Sequence, residues 1–123
     1  MRDRRHAEIA GGGFTGLTLA AALAQRGWSV RVHERAAEIR AFGAGIWLWE
    51  NGVRVLNAIG AADEALTGCT EAPDWRSWDR HGRLIDSIAF GRPYSRVICL
   101  PREQLLQAIL NTARRAGAEI VTG

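Results

Sequence analysis

The sequence predicts an α/β fold, and three observations predict it. Glycines at 11, 13 and 16 have the G-x-G-x-x-G spacing, and a short stretch with Ala7, Ile9 and Ala10 precedes them. An alanine- and leucine-rich run follows, with Leu17, Leu19, Ala20, Leu23 and Ala24 at helical spacing. A second strand-like run, 28–33, then ends in an acid, Glu34. Strand, glycine turn, helix, strand and acid in this order form a Rossmann-like βαβ unit for a dinucleotide; a lone glycine motif in a glycine-rich chain would not carry that reading.

Each part of the unit answers a physical demand. Gly11 lets the chain leave the first strand in a tight turn. Gly13, without a Cβ, lets backbone N–H groups approach a pyrophosphate, and Gly16 lets the helix pack close to the strand before it. Phe14 and Thr15 open that helix, where free N–H groups and the macrodipole favour an anion. The helix is expected over 14–26, with Gly27 as its stop. Glu34 stands where a carboxylate can accept hydrogen bonds from both hydroxyls of an adenosine ribose and repel a 2′-phosphate. Arg35 beside it suits stacking on adenine, tolerance of such a phosphate, or plain solvation, and the pair alone does not choose.

A mixed-charge loop is expected over 36–42. Gly43-Ala44-Gly45-Ile46 exposes bare backbone, either for close approach to a ligand or as a strand entering at a bend. Trp47-Leu48-Trp49 follows, and Asn51 is placed to cap a helix over 52–59 with Val53, Val55, Leu56 and Ile59 on its apolar side and Gly60 as its end. Residues 61–66 can add a helical turn or two. Runs 75–79 and 84–90 read as strands of a hairpin turning at 80–83, closed by Gly91-Arg92-Pro93. Val97 to Leu100 is strand-like, and Pro101 suits the first turn of a helix carrying Leu105, Leu106, Ile109, Leu110 and Ala113. Arg114 and Arg115 suit its C-terminal end, and Gly117 stops it. A last strand is expected over 118–122. A hairpin between the second strand and the next helix–strand unit points away from a plain nicotinamide domain, whose third strand follows after one short crossover.

At 123 residues with 47% hydrophobic content, the chain can build one core and not two. All 16 basic residues are arginine, spread along the chain without an aromatic-basic motif, so the formal charge of +3 reads as compositional background and no nucleic-acid partner is expected. Cys69, Cys99 and the scattered His6, His33 and His81 lack metal-ligand spacing, so no metal is expected and the thiols read as free. Met1 to Arg5 ahead of 17–24 superficially resembles a signal peptide, but Asp3, Glu8 and the glycine break oppose it. No run reaches the ~18 apolar residues of a membrane span, and a cytoplasmic protein is expected.

With Gly11 to Gly16, Glu34-Arg35, Gly43-Ala44-Gly45-Ile46, the Asn51 helix and Arg102 ahead of Leu105-Leu106 in order, the sequence resembles the N-terminal part of the FAD-dependent aromatic hydroxylases. These are single-component flavin monooxygenases such as p-hydroxybenzoate, salicylate and 6-hydroxynicotinate hydroxylases. The resemblance implies a Rossmann-like FAD-binding fold: βαβ with an inserted β-hairpin, then a helix and a further parallel strand, with residues 1–123 forming its N-terminal portion. It implies that Gly11, Gly13 and Gly16 hold the FAD pyrophosphate with Phe14 and Thr15 in the same turn, Glu34 the ribose, and Arg35 the adenine side. Gly45 and Ile46 would lie by the ribityl chain and flavin ring, and Arg102 would reach the ribityl-phosphate region. Glu50-Asn51 departs from the Pro-Asn common in the family, and Trp47 and Trp49 are bulkier than expected beside a flavin.

The implied chemistry is reduction of FAD by NADH or NADPH, followed by O2-dependent hydroxylation of a small aromatic substrate. The family's later Asp-Gly and Gly-Asp flavin motifs and its substrate sheet are missing from this sequence, so the fold is expected to be incomplete, with an open sheet edge for a further segment or second chain. No residue is assigned a catalytic role, and activity of the chain alone is not expected. Two alternatives stay open: a truncated, non-catalytic FAD-binding or interaction module, and a nicotinamide-binding Rossmann oxidoreductase domain.

Overall fold

The computed structural model describes residues 5–91 and 96–123. Arg92 and Pro93, expected to close the hairpin, and the first four residues of the leader-like segment lie outside the described residues.

The anticipated βαβ unit forms as β1 (His6–Ala10), α1 (Phe14–Gln25) and β2 (Ser29–Glu34), with Gly27 at φ +82° ending the helix. Both strands are parallel and in register from His6 opposite Ser29 to Ala10 opposite His33. The last strand, β8 (Glu119–Thr122), adds parallel to β2, giving the order β1-β2-β8. Side chains alternate across this sheet. Ile9, Val30 and Val32 turn to the helices and are buried, while His6, Glu8, Arg31, His33 and Glu119 form a polar opposite face. There the Arg31 Nε donates to Glu119 at 2.9 Å, and hydrogen bonds from His6 and His33 hold the Glu8 carboxyl below its ordinary value.

The helix layer is α1 against α4 (Arg102–Arg115), whose Leu105, Leu106, Ile109, Leu110 and Ala113 are all buried as the spacing predicts. On α1 the buried stripe is Leu17, Ala20, Ala21 and Ala24, with the two central alanines at 0% exposure. Alanines at the contact allow two helices to approach closely. Leu19, expected on the apolar side, is instead 46% exposed, because it lies off the 17-20-21-24 stripe that meets α4. Val55 of the next helix is exposed for the same reason of facing.

Between β2 and α4 lie β3 (Gly45–Trp49), α2 (Glu50–Ile59), α3 (Ala62–Leu66), β4 (Thr70–Glu71), a hairpin of β5 (Asp74–Trp78) and β6 (Leu84–Ala89), and β7 (Val97–Pro101). A second sheet, β3-β7-β4, is antiparallel, pairing Gly45 with Pro101 and Ile46 with Leu100. Three expectations change here. The α2 helix starts at Glu50 with Trp49 at its N-cap, so Asn51 lies inside the first turn and caps nothing. Leu48 pairs with Ile98, which keeps Trp49 extended up to the helix start. Pro101 ends β7 at φ −64°, ψ 134° as the N-cap of α4, one position earlier than its preference for the first turn suggests. Two-residue β4, too short for a periodic signal, forms because β7 offers it a free edge.

The hairpin turn is fastened by one side chain. The Asp79 carboxylate accepts from the backbone N–H of His81 (2.8 Å) and Arg83 (2.9 Å) and from the Arg83 guanidinium (2.8 Å).

Candidate dinucleotide site

The site is assembled from the C-terminal ends of β1 and β2, the first turn of α1, the 36–44 loop and the first turn of α4. Gly11, at φ +103°, turns the chain out of β1, and its N–H donates to the His33 carbonyl at 2.7 Å, tying the turn to β2. A Cβ on Gly16 would stand 2.0 Å from the Gly11 carbonyl oxygen, so this glycine is demanded by the backbone crossing it. Gly13, the N-cap of α1, has the opposite surroundings, with no atom within 4 Å of where its Cβ would be. The first intrahelical bond is Leu17 N–H to the Gly13 carbonyl at 3.0 Å, which leaves the N–H groups of the turn at Gly13, Phe14, Thr15 and Gly16 unused by the helix. No side chain caps this end and no acid lies in its first turn.

Glu34 lies across the turn. Its Oε2 accepts from the Gly12 N–H at 2.8 Å and its Oε1 from the Ala36 N–H at 2.8 Å. These bonds, Ala36 first and Gly12 second, hold its carboxyl below the ordinary value of 4.5. A carboxylate has about four acceptor positions. The N–H groups of Ala36 and Gly12, with a weaker contribution from Arg35, take part of this capacity, and the remainder is open to a ribose hydroxyl. Arg35 is exposed and, with Gly12, Gly13, Glu34, Ile39, Arg40 and Phe42, lines a cleft of about 330 Å³. Arg40 is ion-paired to Glu38 at 3.0 Å and stacks over Phe42, its guanidinium carbon 4.9 Å from the ring centroid.

Arg102 approaches from the other side. Its guanidinium carbon lies 5.7 Å from the Phe14 ring centroid, so a residue of α4 reaches the opening turn of α1. The Nε is fully buried and has no hydrogen-bond partner among the described residues. An unpaired buried guanidinium nitrogen is costly, and an oxyanion is the partner that removes the cost. Gly43, at φ +96°, makes room for it, since a Cβ there would be 3.2 Å from the Arg102 Cδ. Gly45 and Ile46 sit on β3 beside Leu100 and Pro101, lining a neighbouring cleft of about 480 Å³ together with Ala44, Trp47 and Cys99. Of the alternatives for 43–46, the structure shows the entry into a strand, with Gly45 opening β3, and leaves the flank of that strand open to the cleft.

The candidate residues therefore converge in two groups, Gly11 to Gly16 with Glu34 and Arg35, and Gly45 and Ile46 along β3, with Arg102 between the turn and that strand. Sequence reasoning missed two contributors. Gly12 is sterically constrained where Gly11 and Gly13 are not, because a Cβ would come within 2.3 Å of Ile39 Cδ1 and 3.1 Å of Glu34 Cβ. Ile39 is the packing partner responsible, and a lone large aliphatic residue in a charged loop was the available signal. Among the described residues no cluster suited to a metal exists, and no helix is long and apolar enough to cross a membrane.

This geometry offers N–H groups for a diphosphate, an acid for a ribose and a guanidinium for further oxyanions. The family profile described as "FAD binding domain" matches residues 5–123. The chain belongs to this FAD-binding family. It is 46% identical over 119 residues to a 2-heptyl-3-hydroxy-4(1H)-quinolone synthase of Mycobacteroides abscessus, covering 96% of this chain and 32% of that protein. It is also 47% identical over 96 residues to a 3-hydroxybenzoate 6-hydroxylase of Polaromonas naphthalenivorans, covering 71% and 24%. Among solved structures, tetrameric 2-methyl-3-hydroxypyridine-5-carboxylic acid oxygenase superposes with a TM-score of 0.90 at 44% identity, over 98% of this chain and 32% of that one. The chain thus spans about a quarter to a third of the length of these proteins, and FAD is the cofactor of its family. The buried unpaired Arg102 Nε, the open space at Gly13 and the spare acceptor positions of Glu34 fit that cofactor.

Proposed function

We propose that residues 1–123 form the N-terminal portion of an FAD-binding domain in an NAD(P)H-dependent flavin monooxygenase that hydroxylates a small aromatic substrate. The observation that carries this reading is the approach of two separate elements to the uncapped first turn of α1: the Glu34 carboxylate at the end of β2, which accepts from the Gly12 N–H, and Arg102 of α4, whose guanidinium lies by the Phe14 ring with its buried Nε unpartnered among the described residues.

In this reading the Gly11–Gly16 turn, including the N–H groups of Phe14 and Thr15, binds the pyrophosphate. Glu34 takes the ribose diol, and Arg35 flanks the adenine in the 330 Å³ cleft. Arg102 supplies charge to the ribityl-phosphate end, and Gly45 and Ile46 flank the ribityl chain and ring. When bound, FAD supplies the redox and oxygen chemistry, with NADH or NADPH as transient reductant. What these residues do is bind, orient and exclude water. None of them moves a proton.

Beyond Ile46, Trp47 continues along β3 into an apolar cleft of about 390 Å³ lined also by Trp49, Trp75, Ile88 and Phe90. Trp47 meets Trp75 edge-to-face at 4.7 Å and Trp49 meets Phe90 at 5.4 Å. An aromatic substrate would find here flat, apolar walls of the kind that stack on rings. A further segment or second chain completes the enzyme, and the cytoplasm supplies its pyridine nucleotide.

The test is the visible spectrum of the purified chain after mixing with excess FAD and desalting, alone and with any co-encoded neighbour. Retained flavin bands with the chain alone support a competent FAD module. Retention only with the neighbour supports a divided enzyme, to be assayed for substrate-stimulated NAD(P)H oxidation. Retention in neither mixture refutes the reading and leaves a non-binding module.

A further inference from the structure

The 36–44 loop forms one wall of the dinucleotide cleft, and something must hold it there. It has no regular structure from Ala36 to Ala44, and Glu38 and Arg40 are solvated. Its inward contact is Ile39, whose Cδ1 covers Gly12. Glu103, the second residue of α4, reaches across to this loop: its Oε2 accepts from the Ala41 N–H at 2.7 Å. Its Oε1 accepts from the Gln107 Nε2 at 2.7 Å, one helical turn on, and the same Nε2 lies 3.4 Å from the Ile39 carbonyl. One residue earlier, the Arg102 N–H lies 3.4 Å from the Ala44 carbonyl, and its side chain packs on Gly43. A carboxylate in the first helical turn commonly serves its own helix. Here Oε1 serves the helix through Gln107, and Oε2 accepts from a different segment.

We propose that Glu103 is a positioning residue for dinucleotide binding: by fixing the Ala41 N–H and orienting Gln107 toward Ile39, it straps the 36–44 loop onto α4. The strap keeps Ile39 over Gly12 and the cleft wall beside Glu34 in place. It also links the two ends of the site, since Arg102 and Glu103 are neighbours on one rigid turn. Release of the strap lets Ile39 lift, and the Gly12 N–H to Glu34 bond that orients the ribose-binding carboxylate loses its cover from solvent.

This inference rests on the FAD reading above, and the experiment separates their failures. FAD affinity is measured on the full 123-residue chain by quenching of flavin fluorescence, for wild type, Glu103→Ala and Glu103→Gln, alongside thermal melting and amide exchange at Ala41. Glu103→Ala is expected to weaken FAD about tenfold, the scale of losing hydrogen bonds to a charged acceptor. Exchange at Ala41 should accelerate, with the melting temperature little changed. Glu103→Gln has one acceptor oxygen for two donors and should fall between. If wild type binds FAD only with a co-encoded neighbour, the variants are compared in that mixture; if it binds FAD neither alone nor with the neighbour, the functional reading itself fails and the strap falls with it. If wild type binds and both variants bind equally well, or if Ala41 exchange is unaltered in Glu103→Gln, the strap is overturned while the FAD reading stands. Should Glu103→Ala fail to fold, the Gln variant alone decides by the same two readouts.

Discussion

Two glycines three residues apart separate the scaffold from the site. At Gly16 a methyl group would lie 2.0 Å from the Gly11 carbonyl oxygen and 3.1 Å from its carbon, both backbone atoms that no rotamer change can remove. Relief requires α1 to move away from the β1 turn by about 1 Å, against a helix whose Leu17, Ala20 and Ala21 are fully buried. Overpacking of a tight interior costs about 1–3 kcal/mol, occasionally more. Because the obstacle is backbone, Gly16→Ala belongs at the upper end, about 3 kcal/mol, a large share of the ~5–15 kcal/mol that stabilises a domain. With a urea slope of about 2 kcal/mol/M, the midpoint should fall by roughly 1.5 M. Gly13→Ala is the control. Its φ of −84° suits any residue and its Cβ would meet nothing, so stability should change by no more than about 1 kcal/mol, the usual span for an N-cap exchange. If the proposed pyrophosphate site is right, the added methyl stands in the diphosphate's space and FAD retention should be lost. Urea unfolding followed by tryptophan fluorescence and flavin retention after desalting measure the two properties independently. A Gly16→Ala midpoint within experimental error of wild type, or a Gly13→Ala chain that keeps its flavin, would refute the assignment of one glycine to packing and the other to the ligand.

Other outcomes follow from the same geometry. Gly12→Ala meets only the flexible tip of Ile39 at 2.3 Å and the Glu34 side chain at 3.1 Å, so it should destabilise less than Gly16→Ala, by about 1 kcal/mol, measurable in the same titration. The folded Glu34 carboxyl is held below 4.5, so its ionised form is favoured by folding. Its contribution is fully present above pH 4.5 and is lost as pH falls through the depressed folded value. Flavin retention should accordingly stay flat from neutral pH through 4.5 and decline only as pH falls through the depressed folded value, a decline that Glu34→Gln flattens. Arg102→Leu removes a buried, unpaired Nε, so the melting temperature should hold or rise while FAD affinity drops; a stability loss without an affinity loss would place Arg102 in the scaffold instead. Asp79→Ala deletes three acceptor contacts in the hairpin turn and should loosen β5–β6, read as faster amide exchange at His81 and Arg83 with FAD binding unaffected.

The sequence by itself determined what is local. Gly11, Gly27, Gly60 and Gly117 adopt positive φ at the turn out of β1 and just after the helices, as their placement predicts, because only a residue without Cβ takes that conformation cheaply. The leucine spacing of 105–113 identified the buried face of α4, because that signal lies within a few residues of where it acts. The tertiary structure decided what depends on chain closure. Which face of α1 meets α4 left Leu19 outside, although its composition alone suits either side. The antiparallel pairing of β3 with β7 set where Gly45 faces Pro101, and with it where α4 begins and how Arg102 comes to lie over Phe14. The bond from Ala41 to Glu103 joins segments with no shared periodicity. Local conformational preference is written in adjacent residues. A contact between distant segments exists only after both have packed against the same core, and no pattern within either one specifies it.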